Sequence, residues 1–123
     1  MTDQLFASAA AMNERRFQTV LQKGLTREGW SWVFVRRMRT PDGRWLTGTS
    51  DAGWPDLCCL RGGHVLIIEV KSSKGKPTPG QLKWLRRWYD TGAICWVLNP
   101  TDSWQWIANG LAHPETAERR YGW

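Results

Sequence analysis

Apolar and polar positions alternate with two different periods along the chain, and the switches between them outline its elements. From about Leu5 to Glu28 the apolar residues Phe17, Val20, Leu21 and Leu25 recur at spacings of three and four, which predicts one amphipathic helix. After Gly29 the run Trp30-Ser31-Trp32-Val33-Phe34-Val35 is aromatic and β-branched, the composition of a strand. Thr40-Pro41-Asp42-Gly43 reads as a turn, Arg44 to Thr47 as a short return strand, and Gly48 to Gly53 as a small polar loop. Leu57-Cys58-Cys59-Leu60 and Val65 to Lys71 are two apolar strands joined through Gly62-Gly63, a dipeptide free to take positive φ in a two-residue hairpin turn. Thr78-Pro79-Gly80-Gln81 opens a second helix with an N-cap threonine and a proline at its first position. Leu82, Leu85 and Tyr89 form its apolar stripe, and Gly92 stops it. Ala93 to Leu98 is a further buried strand. Trp104, Trp106 and Ile107 alternate in a way that predicts an edge strand, and the polar sequence from Ala112 onward carries no assignable pattern.

The order helix, three-strand meander, helix, strand describes a compact α/β sandwich with a mixed sheet. The single helix between Lys71 and Ala93 makes a β-α-β crossover, expected to be right-handed. At 123 residues, 1–123 is read as a single domain with an ordinary core-forming composition, 41% hydrophobic.

Hairpin register is where the pattern begins to imply chemistry. Counting outward from Gly62-Gly63 pairs Arg61 with His64 and, five steps on, Asp56 with Glu69. Cross-strand partners share one face with Cβ atoms about 4.5–5.5 Å apart, and two carboxylates so placed repel unless a cation neutralises them. Oxygen ligands of this kind suit magnesium or manganese. Lys71, two residues beyond Glu69, projects from the same face about 7 Å further along. The three groups match the needs of phosphodiester hydrolysis, in which a metal activates water and clamps oxygens while a lysine positions the nucleophile or stabilises developing charge. An isolated Glu-x-Lys triplet is more often a surface ion pair. Here four apolar residues precede Glu69 and put it at the rim of a buried strand.

Glu14 lies three residues before Phe17 and seven before Leu21, on the buried stripe of the first helix. A carboxylate there needs a partner, unless it swings out to solvent at the helix end. Thr78-x-x-Gln81 fits a capping box, with a place for the glutamine at the site as the other reading.

Gly53-Trp54-Pro55-Asp56-Leu57, then Ile68-Glu69-Val70-Lys71, then Gln81 at a helix start resemble the VRR-NUC branch of the PD-(D/E)XK nucleases, over Glu14 to about Leu98. The resemblance implies a restriction-endonuclease-like αβββαβ core, with Glu14 as the first-helix acid and a metal ligand, Asp56 and Glu69 as metal ligands, Lys71 as the catalytic lysine and Gln81 as the helix glutamine near the site. It implies a Mg²⁺- or Mn²⁺-dependent DNA endonuclease. Compact single-domain members are similar to phage-encoded enzymes that act on branched DNA, such as four-way junctions, as homodimers. A flap or nicking nuclease, a nuclease subunit of a larger machine and a non-catalytic nucleic-acid-binding module are the competing readings.

Charge and composition bear on the partner. The net charge of +6 and pI near 9.7 favour a polyanion such as DNA. Lys74 and Lys76 leave the active face directly, Arg15, Arg16, Lys23 and Arg27 line the polar side of the first helix, and Arg36, Arg37, Arg39 and Arg44 cluster around the Pro41 turn. These are expected phosphate contacts, and such contacts position without reading sequence. Of ten tryptophans, Trp84, Trp88 and Trp96 are expected near the core. Trp45 and Trp54 are open to base stacking or to packing, and Trp104 or Trp106 to a dimer interface. Three cysteines suggest neither a disulfide framework nor zinc, and no apolar run reaches the roughly 18 residues of a membrane span. A cytosolic protein is the expectation, in the host cytoplasm if phage-encoded.

Overall fold

A computed structural model of the chain describes residues 13–35, 37–47 and 49–122, and for 37–39 and 45–47 the backbone alone. The stretch Leu5 to Met12 of the expected first helix, Arg36, and the side chains of Arg37, Arg39 and Trp45 lie outside the described residues.

Helix α1 spans Glu14–Arg27 and starts where Asn13 accepts the Arg16 amide at 2.8 Å, satisfying one of the donors left over at a helix N-terminus. Its buried positions, Phe17, Leu21, Gly24 and Leu25, keep the spacing read from the sequence. Strand β1 (Ser31–Phe34) follows, then a separate antiparallel pair, β2 (Arg37–Arg39) with β3 (Trp45–Thr47), around the Thr40–Gly43 turn. The hairpin β4 (Leu57–Arg61) and β5 (His64–Val70) has the register counted from its turn, from Arg61 opposite His64 to Leu57 opposite Ile68. Only Gly62 of the two turn glycines has positive φ, +58°, which is the pattern of a type II′ turn. Helix α2 (Pro79–Asp90) crosses over to β6 (Ile94–Leu98), which runs parallel to β5. The result is a four-stranded mixed sheet in the order β1-β4-β5-β6.

Alternation along the central strands divides the core in two. Leu57, Cys59, Leu66, Ile68, Val70, Trp96 and Leu98 face α1 and a C-terminal helix, α3 (Trp104–Ala112), through Phe17, Leu21, Leu25, Ile107 and Leu111. Ile67, Cys95 and Val97 face α2 through Leu85, with Leu82, Trp88 and Tyr89 packed around. Each fully buried aliphatic side chain contributes about 1.5–3 kcal/mol. The sheet is therefore covered by helices on both faces, in an α/β class. No helix among the described residues is long and apolar enough to cross a membrane.

The tail departs from its expected edge strand. Trp104–Ala112 is helical because Ser103 accepts the Trp106 amide at 3.2 Å and because Ile107, Gly110 and Leu111, at spacings of three and four, are the buried residues. Trp104 packs on Gly24 of α1, where an added Cβ would meet its ring at 3.2 Å. After a 3₁₀ turn at Pro114–Thr116 the chain returns along the outer edge of β6, where Cys95 donates its amide to Arg119 at 3.1 Å and the Trp96 indole donates to Glu118 at 2.8 Å. The segment without assignable pattern thus closes a sheet edge that would otherwise present unpaired backbone groups.

Candidate active site

Leu57 opposite Ile68 is the last pair of the β4–β5 ladder, and Asp56 and Glu69 are the residues that adjoin this pair on the two strands. Pro55, with no N–H, cannot continue the ladder as a donor. Asp56 bridges the gap. Its carbonyl accepts the Val35 amide at 2.9 Å, and its side-chain Oδ2 accepts the Val70 amide at 2.8 Å. Asp56 and Glu69 alternate with Leu57 and Ile68, so both belong to the α2 side of the sheet, beside Cys58 and Ile67.

Both acids are more enclosed than a strand rim suggests. Glu69 is 1% exposed and Asp56 8%. Lys71 Nζ lies 3.5 Å from Glu69 Oε1, and its side chain is 14% exposed. A carboxylate this deep needs a counter-charge, because its desolvation costs several kcal/mol. Lys71 supplies one positive charge against the two acids. A carboxylate offers about four lone-pair sites, and at Asp56 the Val70 amide takes one of them. The pair is an all-oxygen donor set of the kind suited to a hard divalent cation.

Glu14 does not turn inward as its spacing suggested. It is exposed, as the first residue of α1, where an acid is favoured by the positive end of the helix dipole. The body of α1 packs on the sheet face opposite to Asp56 and Glu69. Among the described residues no group of three or more His, Cys, Asp or Glu side chains is placed to hold a metal ion. Gln81 does form the capping box: Thr78 donates its amide to Gln81 Oε1 at 2.9 Å, and Gln81 donates its own to Thr78 Oγ1 at 3.2 Å. The side chain is 3% exposed, and with Oε1 engaged, its Nε2 amide is the end it can offer to a ligand. Arg15, Lys74 and Lys76 are exposed, the two lysines in a tight turn where Gly75 donates its amide to Ser72 at 3.1 Å.

The 51–56 loop carries features that spacing did not reveal. Asp51 Oδ1 accepts the Gly53 amide at 2.8 Å, and this bond, with Trp84 and the Lys83 charge nearby, holds the Asp51 carboxyl below its ordinary range. Gly53 lies against the first turn of α2 so closely that a Cβ would sit 2.6 Å from the Gly80 carbonyl oxygen. Two glycines meeting across a loop and a helix start leave only a weak sequence signal, a Gly in the first turn where other residues are better helix formers. Trp54, expected either to stack on bases or to pack, is half-buried edge-on to Trp84 (4.9 Å, 67°) and Trp88 (5.9 Å, 74°). Trp104 and Trp106 are likewise engaged within the chain: Trp106 lies 4.7 Å from Trp96 with Arg120 at 4.0 Å over its ring, and Trp104 packs on the core. Both side chains are half-buried.

Burial raises all three thiols, Cys59 and Cys95 to about 12, with the Trp54 indole partly offsetting the effect at Cys58. Compared with protein-family models, curated proteins and solved structures, the chain matches none of them.

Proposed function

We propose that the chain is a metal-dependent DNA endonuclease of the PD-(D/E)XK type, in its VRR-NUC branch, with a restriction-endonuclease-like core. The observation that carries the reading is the 3.5 Å approach of Lys71 Nζ to the buried Glu69 carboxylate at the end of β5, with the buried Asp56 held to the same strand through the Val70 amide. The order of α1, the antiparallel β1, β4 and β5, helix α2 and the parallel β6 supports the αβββαβ arrangement that the motif residues imply.

Asp56 and Glu69 would hold a Mg²⁺ or Mn²⁺ ion, which when bound supplies Lewis-acid activation of water and charge neutralisation at phosphate oxygens. The Val70 amide fixes the Asp56 carboxylate, so that the acid is oriented before substrate arrives. Lys71, on the same strand as Glu69, places its ammonium where it can position the nucleophile or stabilise negative charge developing on the phosphate. Burial of Glu69 excludes water from the pair and strengthens its electrostatic effect. Gln81 is proposed to present its Nε2 amide toward a water or phosphate. Glu14 remains a candidate only from the α1 terminus. Lys74, Lys76, Arg15, Arg36 and Arg37 are the proposed phosphate contacts.

The substrate proposed is branched DNA such as a four-way junction, cut by a homodimer. A single domain with one site cuts one strand per visit, and a two-fold dimer supplies the second cut in the opposite polarity. Nicking of supercoiled plasmid with and without magnesium tests the activity, and sedimentation with junction DNA tests the assembly. Nicking that persists unchanged in chelator, or a strictly monomeric protein making single nicks, would overturn the first and second parts respectively.

A further inference from the structure

The outer flank of α2 carries a pattern that the catalytic residues do not use. Trp84 and Trp88 are four residues apart and so lie on one stripe of the helix. Lys83 and Arg87, also four apart, form the adjoining stripe on the solvent side. Both cations are exposed, while Trp54, Trp84 and Trp88 are each half-buried. Arg86 is paired with Asp90, at 3.9 Å, next to that stripe. Trp54 meets the other two rings edge-on, which ties this surface to a loop two residues from Asp56. A solvated basic face would account for Lys83 and Arg87 alone. It does not account for three indoles that keep part of their surface in water beside those charges.

We infer that the Trp54, Trp84 and Trp88 cluster with its Lys83 and Arg87 flank binds an unpaired DNA segment, the indoles stacking a base and the two cations contacting phosphates. Every base has a π-face, so aromatic stacking tolerates sequence, and basic residues beside such a platform track the backbone. In a duplex the base faces are occupied by their neighbours, so the surface selects bases already out of the stack. The inference rests on the nuclease reading for its premise that the substrate is nucleic acid, and adds to it a preference for single-stranded elements next to the cut.

The test is binding of the full chain in EDTA, read by anisotropy of a labelled oligodeoxythymidine, an abasic oligomer of equal length and charge, and a blunt duplex at one salt concentration. The expected result is affinity for the thymidine oligomer about fivefold or more above the abasic one. The Lys83→Ala/Arg87→Ala double variant weakens both and lowers the salt slope by about two. Trp84→Leu, checked by thermal melting, removes the difference between the two oligomers and spares abasic binding. Equal affinity of the wild-type protein for thymidine and abasic oligomers overturns the inference and leaves the nuclease reading standing. A thymidine preference that survives in folded Trp84→Leu, or affinity unchanged in the double variant, overturns it as well. Binding to none of the three would bring down the nuclease reading with it. If Trp84→Leu fails to fold, the wild-type comparison decides.

Discussion

Replacing Gly53 with alanine adds one methyl group, and the structure sets what it meets. The new Cβ would stand 2.6 Å from the Gly80 carbonyl oxygen and 2.7 Å from its carbon, against 3.4 Å for an ordinary contact, so loop and helix must part by about 0.8 Å. Neither neighbour is a flexible side-chain end; both are backbone in the first turn of α2. Gly53 does not have the positive φ that disfavours alanine, so the effect is one of contact and not of conformation. Overpacking of this kind costs about 1–3 kcal/mol. If the loop is what moves, Asp56, three residues on, moves with it, and a displacement near 1 Å at a reacting group costs on the order of 10²-fold in rate. Urea unfolding and magnesium-dependent cleavage, each measured beside Gly63→Ala, separate the two effects. Gly63 has open space around its Cβ position and serves as the control. A Gly53→Ala protein as stable and as active as the control refutes the reasoning.

Lys71→Ala strips the buried Glu69 of its ammonium partner and is expected to lose about 3–5 kcal/mol of stability as well as activity, both visible when urea melts accompany the assay. Ser103→Ala removes the N-cap of α3 and should lower stability by about 0.5–2 kcal/mol with cleavage retained, checked by the same two measurements. Cys59 and Cys95, raised to about 12 by burial, should resist a thiol reagent in the native state at pH 8 and react on unfolding. Because their folded values lie above the unfolded 9.0, their contribution to stability is intact below pH 9 and falls as pH climbs from 9 toward 12, which alkaline unfolding curves would record.

The hairpin was legible because a Gly-Gly turn fixes register, and register fixes which side chains are opposed: from Arg61 with His64 to Leu57 with Ile68 the strands pair as counted. Helix α1 was legible from Phe17, Leu21 and Leu25, whose spacing needs no tertiary information. For Glu14 the same spacing left two readings open and the outward one is found, because periodicity gives a direction around the helix axis and not the extent of the surface beneath it. The tail misled because Trp104 and Trp106 show one repeat of a two-residue period, while the stronger four-residue spacing of Ile107 and Leu111 began at an unremarked Ser103 cap. Contacts such as Gly53 on Gly80, or Arg119 along the β6 edge, join residues far apart in the chain through backbone atoms, and side-chain patterns carry no trace of them. The depth of Glu69 lay between these cases: four apolar neighbours announced a buried strand, but its 1% exposure depends on α2 above it.

Cleavage of a panel of labelled branched and linear DNAs by the wild-type protein and by Glu69→Gln, in magnesium and in manganese, tests the central claim most directly. Glu69→Gln keeps the shape of the side chain, and its fold is checked by circular dichroism in the same experiment. The account predicts metal-dependent cuts by the wild-type protein, strongest on branched substrates, and a rate lower by about 10²-fold or more in the folded variant. Equal cleavage by the two proteins, or no cleavage of any substrate with either metal, would contradict it.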